Sequence, residues 1–330
     1  MATDTITAVQ DGIRDRFQDP GAWPRPITRD LAYLRTAIVN VFFSGLPGAG
    51  DRNWVLIDAG IPGYAHAIAE AAARRFGPGA RPSAIVMTHG HFDHVGSLRE
   101  LAEAWDAPIY AHELELPYLT GRSPYPPPDP TVGGGLMAAL SWMYPRGPID
   151  LGGRVHALPA DGSVPSMPGW RWVHTPGHTT GHVSFFRDDD KALIAGDAFV
   201  ATKQESALAV IEQRKEIHGP PAYFTSDWMA ARKSIEALAA LNPRIAATGH
   251  GLPMEGEELR LGLAHLLRDF DRIAYPAHGR YAIHPAIADA SGVVSVPPEK
   301  PGLPPQLIFG LAAGALAGVV LGGIIKGRRR

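Results

Sequence analysis

The chain is organised around the heptapeptide THGHFDH, residues 88–94, which places three histidines and one aspartate within seven positions. An apolar run, AIVM at residues 84–87, precedes it and is typical of a short buried strand. The residues that follow, VGSLREL at 95–101, are typical of the start of a helix. Imidazole and carboxylate groups at such a strand-to-helix turn suit Zn²⁺, Fe or Mn²⁺. We therefore interpret the heptapeptide as a metal-binding loop rather than a polar loop with ordinary histidines.

Four further short segments surround this loop in the sequence. IDAG at residues 57–60 precedes it, and TPGHTTGH at 175–182, AGD at 195–197 and TGHG at 248–251 follow it. Together with the heptapeptide they resemble the signature of the metallo-β-lactamase superfamily over about residues 35–255, and more closely its glyoxalase-II-like and lactonase-like branch. The resemblance implies an α/β (α+β) fold, the four-layer αβ/βα sandwich. In that fold two mixed sheets lie face to face with helices outside, and the motif loops gather at one edge.

The resemblance also implies ligands for two metal ions. The first two histidines of the heptapeptide and the histidine of TPGHT would hold one ion. Its aspartate and last histidine would hold the other ion together with the histidine of TGHG, and the aspartate of AGD would bridge both. Asp58 would support the loop by hydrogen bonding without binding metal, and Asp93 would also act catalytically by handling a proton. The implied metal ligands are His89, His91, His178, Asp93, His94, Asp197 and His250.

Three histidines compete for the third position on the first ion, namely His174, His178 and His182. His174 ends a predicted strand and His182 begins the next one, whereas His178 lies in the Pro-Gly turn between them. A loop can aim His178 at the site, so we assign it as the ligand and give His182 a structural role. We interpret the remaining histidines, including His66 and His112, as ordinary.

The resemblance implies a metal-dependent hydrolase in which a hydroxide activated by a dinuclear site attacks an ester, thioester or lactone. The expected cofactors are two divalent ions, Zn²⁺ first, with Fe or Mn as alternatives. Two other functions stay open: a mononuclear iron enzyme similar to persulfide dioxygenases, and a nuclease or phosphodiesterase of the same fold. The formal net charge is −2 with histidine neutral, which argues against nucleic acid as a partner. We expect a small-molecule substrate.

Composition divides the chain into a predicted catalytic domain, residues 1–285, and a C-terminal extension. The extension consists of a proline-rich linker at 286–305, a predicted transmembrane helix at 306–326 and a basic tail at 327–330. Within the domain, residues 121–150 form a proline-rich insertion that is either a lid over the site or a solvated connector. The 330 residues are 45% hydrophobic and include no cysteine, which excludes disulfides and thiolate ligands.

Residues 307–325 are a run of 19 without a charged side chain, close to the roughly 17–25 residues that span a bilayer core. The N-terminus lacks the basic and apolar regions of a secretory signal. We therefore expect a cytoplasmic catalytic domain that is membrane-associated, in contact with lipid, through a C-terminal anchor. The orientation of the helix stays open, because its basic tail also favours the cytoplasmic side. A stripe of glycines favours self-association of this helix: Gly310, Gly314, Gly318 and Gly322.

We expect the full chain to sediment with membranes, because an uncharged run of this length favours lipid over water. A chain truncated after Pro305 should stay in the supernatant without detergent, and fractionation of both proteins measures this. Equal solubility of the two proteins would contradict the anchor. Removal of the catalytic domain by protease added outside intact cells would contradict the orientation.

Overall fold

The computed structural model describes residues 23–299. Its first sheet contains seven strands, whose order in the sheet is their order along the chain. The first four strands pair antiparallel, and the fourth to the seventh pair in parallel. The strands are β1 (Arg25–Pro26), β2 (Leu31–Thr36), β3 (Val39–Ser44), β4 (Val55–Ile57), β5 (Ala84–Val86), β6 (Ile109–Ala111) and β7 (Val155–Ala157).

A second sheet contains five strands, and a separate hairpin follows it. The strands of the sheet are β8 (Trp170–His174), β9 (Val183–Arg187), β10 (Ala192–Gly196), β11 (Ile245–Thr248) and β12 (Met254–Glu255). Their order across the sheet is β12, β11, β10, β9, β8, and the β10–β11 pair is parallel whereas the other pairs are antiparallel. The hairpin strands are β13 (Ile287–Asp289) and β14 (Gly292–Ser295).

Helices connect the strands, and short 3₁₀ turns, among them Glu113–Glu115, lie between some of them. Along residues 23–299 the α-helices are α1 (Ala65–Phe76), α2 (Phe92–Val95), α3 (Leu98–Trp105), α4 (Leu116–Leu119), α5 (Leu136–Ala139), α6 (Ala207–Glu212), α7 (Trp228–Ala240), α8 (Gly256–Arg268) and α9 (Phe270–Ile273). None of these helices is long and apolar enough to cross a membrane. The predicted transmembrane helix, residues 306–326, and its glycine stripe lie outside the described residues.

Three buried apolar clusters define the layers. One packs α1 and α3 on the first sheet and includes Ile68, and another packs α7 and α8 on the second sheet and includes Ile235. The third lies between the sheets and contains Phe42 of β3 and Phe185 of β9. The helices bury one apolar face and the sheets bury both faces, which gives the order helix, sheet, sheet, helix. The predicted mixed α/β sandwich is therefore confirmed.

The strands β3 and β4 form a hairpin, in which Phe42 pairs with Ile57. The sequence pattern does not predict β2, whose apolar stretch LAYL covers only residues 31–34. Pairing with all six residues of β3 gives β2 its structure.

The region predicted as a linker, residues 286–305, begins with the hairpin of β13 and β14. The Val293 N–H donates to Ser123 Oγ at 3.0 Å, which attaches this hairpin to the body of the fold. Residues 300–305 lie outside the described part of the chain.

The N-terminus of α7 is capped by Asp227. The sequence favours Thr225 or Ser226 as the cap, since their hydroxyls can accept from a free helical N–H. Instead, the Asp227 carboxylate accepts the Ala230 N–H at 2.9 Å. The expected cap is therefore wrong by one or two residues, because three consecutive side chains here have capping chemistry.

Asp227→Ala should lower the free energy of unfolding by about 1 kcal/mol, because a helix N-terminal N–H loses its acceptor. Urea denaturation of the metal-free protein measures the change. Ser226→Ala is the matched control and should change stability less. A larger loss of stability in Ser226→Ala than in Asp227→Ala would show that Ser226 is the cap.

Candidate metal centre

The candidate ligands lie where strands of both sheets end. Asp58 directly follows β4, the heptapeptide begins two residues after β5, Asp197 directly follows β10, and His250 lies two residues after β11. The β4–β5 and β10–β11 pairs are parallel, so their carboxyl ends lie at the same edge of each sheet. The fold therefore brings together side chains that are far apart in the sequence.

Three histidines form the first group of donors, which we call the three-histidine group: His89, His91 and His178. They offer nitrogen atoms that all lie within 4.8 Å of one another. His91 Nδ1 lies 2.9 Å from His178 Nε2. Burial and repulsion by neighbouring histidines hold the pKa of His89 and of His91 well below the usual range, and burial lowers the pKa of His178 to about 3. All three rings are therefore neutral near pH 7, the state in which imidazole binds a metal.

The second group of donors consists of Asp93, His94 and His250. Their ligand atoms also lie within 4.8 Å of one another. Asp197 lies between the two groups. Its Oδ2 atom is 3.1 Å from His250 Nε2, 3.6 Å from His94 Nε2 and 3.5 Å from His178 Nε2. Burial alone would raise the pKa of Asp197, but His250 and His94 hold it well below its usual range. An ionised carboxylate thus stands beside both groups of donors.

The chemistry of these side chains fits divalent metal ions. Three buried atoms find no hydrogen-bond partner within residues 23–299, namely His89 Nε2, His94 Nε2 and Asp197 Oδ1. Burying such atoms unpaired costs free energy, which a bound cation would offset. Imidazole nitrogen and carboxylate oxygen together are typical ligands of Zn²⁺ and of iron.

Asp58 orients the heptapeptide through hydrogen bonds. It accepts the Thr88 N–H and the Thr88 hydroxyl, both at 2.8 Å, and its Oδ2 lies 2.8 Å from His94 Nδ1. Burial lowers the pKa of His94, but the carboxylates of Asp58 and Asp197 raise it well above its usual value. Because Nδ1 of His94 is held by Asp58, its Nε2 is directed towards the donor cluster.

The competing histidines lie outside the donor groups. His182 uses both ring nitrogens elsewhere, since Nδ1 is 2.8 Å from Thr175 Oγ1 and Nε2 accepts the Asp197 N–H at 2.9 Å. His174 is exposed, and its Nε2 lies 2.9 Å from the Thr180 carbonyl. His112 stacks on His174 with ring centroids 4.4 Å apart. These contacts leave His174, His182 and His112 outside the two donor groups.

Glu115 is a residue of the site that the sequence pattern does not single out. It is completely buried, and its Oε1 accepts the Thr179 hydroxyl at 2.6 Å and the Gly181 N–H at 3.1 Å. Its Oε2 accepts the Gly90 N–H at 3.0 Å and the Tyr125 hydroxyl. Burial raises the pKa of Glu115 to about 7, and these donors act in the opposite direction. The one sequence feature that could have indicated a buried role for Glu115 is that leucine flanks it on both sides.

Aromatic rings border the donor cluster on another side. Phe224 stacks on His91 with ring centroids 4.4 Å apart. Phe92 lies 5.4 Å from Tyr144, and Tyr144 lies 5.7 Å from Tyr223, again between ring centroids. We call Phe92, Tyr144, Tyr223 and Phe224 the aromatic wall. Through Tyr144, the insertion 121–150 contributes to it.

The sequence profile of the metallo-β-lactamase superfamily matches residues 37–250, which contain every candidate ligand. The chain belongs to this superfamily.

Relatives in sequence agree with the match to the metallo-β-lactamase superfamily. The chain is 49% identical over 233 residues to the probable metallo-hydrolase YflN of Bacillus subtilis (strain 168), covering 71% of this chain and 88% of that protein. It is 29% identical over 202 residues to the probable metallo-hydrolase YybB of the same organism, covering 61% and 77%. The chain is a metallohydrolase of the metallo-β-lactamase superfamily.

The fold is also similar to solved structures of the metallo-β-lactamase superfamily. The metallo-β-lactamase family protein TTHA1429 from Thermus thermophilus is 21% identical, with a TM-score of 0.50. The similarity covers 74% of this chain and 81% of that one.

His178→Ala should lose the metal held by the three-histidine group and abolish activity, because that group then has too few ligands. His182→Ala should keep its metal and lose only part of its activity, since its ring contacts Asp197 through the backbone. Elemental analysis after dialysis measures the bound metal, with exposed His174→Ala as the control. Metal lost from His182→Ala but retained by His178→Ala would show that our assignment is wrong.

Proposed function

We propose that this metallohydrolase is dinuclear and hydrolyses a carboxylic ester, thioester or lactone. The position of Asp197 carries the proposal, because its carboxylate lies beside two donor groups that share no residue. Three ligands of its own and the shared Asp197 carboxylate would leave each ion room for water or substrate, because zinc in catalytic sites can expand to five ligands. A shared carboxylate lowers the repulsion between two cations. The proposed ligands are His89, His91, His178, Asp93, His94, Asp197 and His250.

Two divalent ions bound here would lower the pKa of a shared water molecule and polarise the substrate carbonyl. The chain supplies orientation and a group that handles protons. His250 is held by its Nδ1, which lies 2.7 Å from the Ile38 carbonyl oxygen. Burial raises the pKa of Asp93, which suits a carboxyl group that takes a proton from the attacking water. The same carboxyl group can return the proton to the leaving oxygen or sulfur.

The aromatic wall supports an uncharged substrate. Phe92 and Tyr144 are only partly buried beside the donor cluster, so they offer apolar surface to a bound acyl group. A phosphodiester is usually held by cationic side chains, so the apolar surface of this wall favours a neutral carbonyl compound.

A mononuclear iron enzyme is the second candidate, because the three-histidine group could serve alone. In that case Asp93 and His250 would have no metal to bind, although they lie 3.5 Å apart with Asp197 adjacent. Counting the metal ions in protein purified without added metal separates the two candidates.

We expect the protein to bind two metal ions and to hydrolyse at least one aryl ester, acyl thioester or lactone in preference to a phosphodiester or a β-lactam. A chelator should abolish this activity and Zn²⁺ should restore it, because the attacking water needs the metal. Asp93→Asn in metal-saturated buffer should lower kcat by about 10²–10⁴-fold through loss of proton transfer. Exposed Asp189→Asn is the control. Full activity with one iron per chain would refute the proposal.

A further inference from the structure

One buried carboxylate links the two loops that carry the three-histidine group. Glu115 ends the 3₁₀ turn Glu113–Glu115, after β6, and belongs to neither loop. Its Oε2 binds Gly90, between His89 and His91, and its Oε1 binds the loop of His178 at Thr179 and Gly181. The two loops therefore share a single hydrogen-bond acceptor, separate from the metal ligands themselves.

Four hydrogen-bond donors surround the Glu115 carboxylate. Two are backbone N–H groups, whose direction is set by the loops, and two are hydroxyls, from Thr179 and Tyr125. A carboxylate accepts all four bonds, whereas an amide of the same size must place its NH₂ against one pair of donors. The contact geometry thus specifies a carboxylate rather than only a polar side chain of this length.

Tyr125 completes the contact from the insertion 121–150. Its hydroxyl donates to Glu115 and accepts the Gly90 N–H at 2.8 Å, and its ring lies 4.5 Å from that of His91 between centroids. Tyr118 stacks on its other side at 3.8 Å. Tyr125 is 2% exposed, so it is held in one position under the heptapeptide. We call Glu115 and Tyr125 together the carboxylate–tyrosine clamp.

The loops meet the carboxylate–tyrosine clamp at glycines, which permits the close approach. A Cβ atom at Gly90 would lie 2.7 Å from the Tyr125 hydroxyl, and one at Gly181 would lie 2.8 Å from Glu115 Oε1. Real Cβ atoms essentially never approach other atoms so closely. The loop backbone and the clamp are therefore packed in direct contact on both sides.

We propose that Glu115 and Tyr125 are positioning residues that set the separation of the loops bearing His89, His91 and His178, and so determine the metal affinity of the three-histidine group. The inference rests on the proposed ligands. The second group depends on other supports, Asp58 for His94 and the Ile38 carbonyl for His250. Loss of the carboxylate–tyrosine clamp should therefore weaken one metal group more than the other.

The test is a Co²⁺ titration of the metal-free full chain, followed by visible absorption and by competition with a chelator. Glu115→Gln and Tyr125→Phe should weaken Co²⁺ binding at the three-histidine group by about 10–100-fold, the usual effect of losing a support behind a ligand. Binding at the Asp93, His94 and His250 group should stay close to that of the wild type. The spectrum of His178→Ala identifies the absorption of the second group.

Thr179 gives a conservative pair of variants. Thr179→Val removes the hydroxyl donor at constant size and should weaken the three-histidine group, whereas Thr179→Ser keeps the hydroxyl and should restore its affinity and its Co²⁺ spectrum. Should Glu115→Gln fail to fold, this pair and Tyr125→Phe carry the test. Exposed Glu113→Gln, on the same turn, is the control for charge and should match the wild type.

Leu263→Ala, in the α8 core, controls for general instability. It should lower Tm while both Co²⁺ affinities stay unchanged. Unchanged affinity in Glu115→Gln, or equal weakening at both groups, would overturn the proposal. A wild type that binds one Co²⁺, at the three-histidine group, would refute the dinuclear function, yet the affinity ratio between variants would still decide the role of Glu115.

Discussion

The structure depends on holding potential metal-ligand atoms together in the protein interior, where they would not gather without support from the surrounding fold. Three neutral imidazoles face one another, with His91 Nδ1 only 2.9 Å from His178 Nε2, and the ionised carboxylate of Asp197 stands beside them. Among residues 23–299, several of these buried atoms have no hydrogen-bond partner, and leaving them unpaired costs free energy. Divalent cations would satisfy these donors, so ligand geometry and metal binding would stabilise each other.

Two buried carboxylates provide the support that such a cluster needs. Asp58 holds the heptapeptide at both ends, through Thr88 and His94, and Glu115 holds its middle, through Gly90. A lone buried carboxylate would be costly, but each accepts several hydrogen bonds from the loops that it supports. The cost of burying these charges is thus offset by the same contacts that orient the ligands.

The sequence predicts those parts of the site whose signal is local. The heptapeptide contains four of the seven candidate ligands and lies between a strand and a helix, as its pattern indicates. The Glu115 contacts join residues 25 and 66 positions apart, and no local pattern reports such a pairing. The same limit applies to β2, which depends on its pairing with β3. At the cap of α7, three adjacent side chains have capping chemistry, and only the structure identifies Asp227 as the acceptor.

The insertion 121–150 touches the metal centre from two sides, and its contacts distinguish a wall from a lid. Tyr125 lies beneath the heptapeptide, while Tyr144 stands in the aromatic wall with its hydroxyl bonded to the Met137 carbonyl at 3.0 Å. Between them, the Asp129 N–H donates to the Tyr223 carbonyl at 2.7 Å and attaches the insertion to the loop beside the ligands. A lid that opens would have to break the contacts of Tyr125 with the heptapeptide and the Asp129–Tyr223 bond in every cycle. The contacts therefore favour a rigid wall, in which the surface that meets the substrate and the support of the ligands belong to one segment.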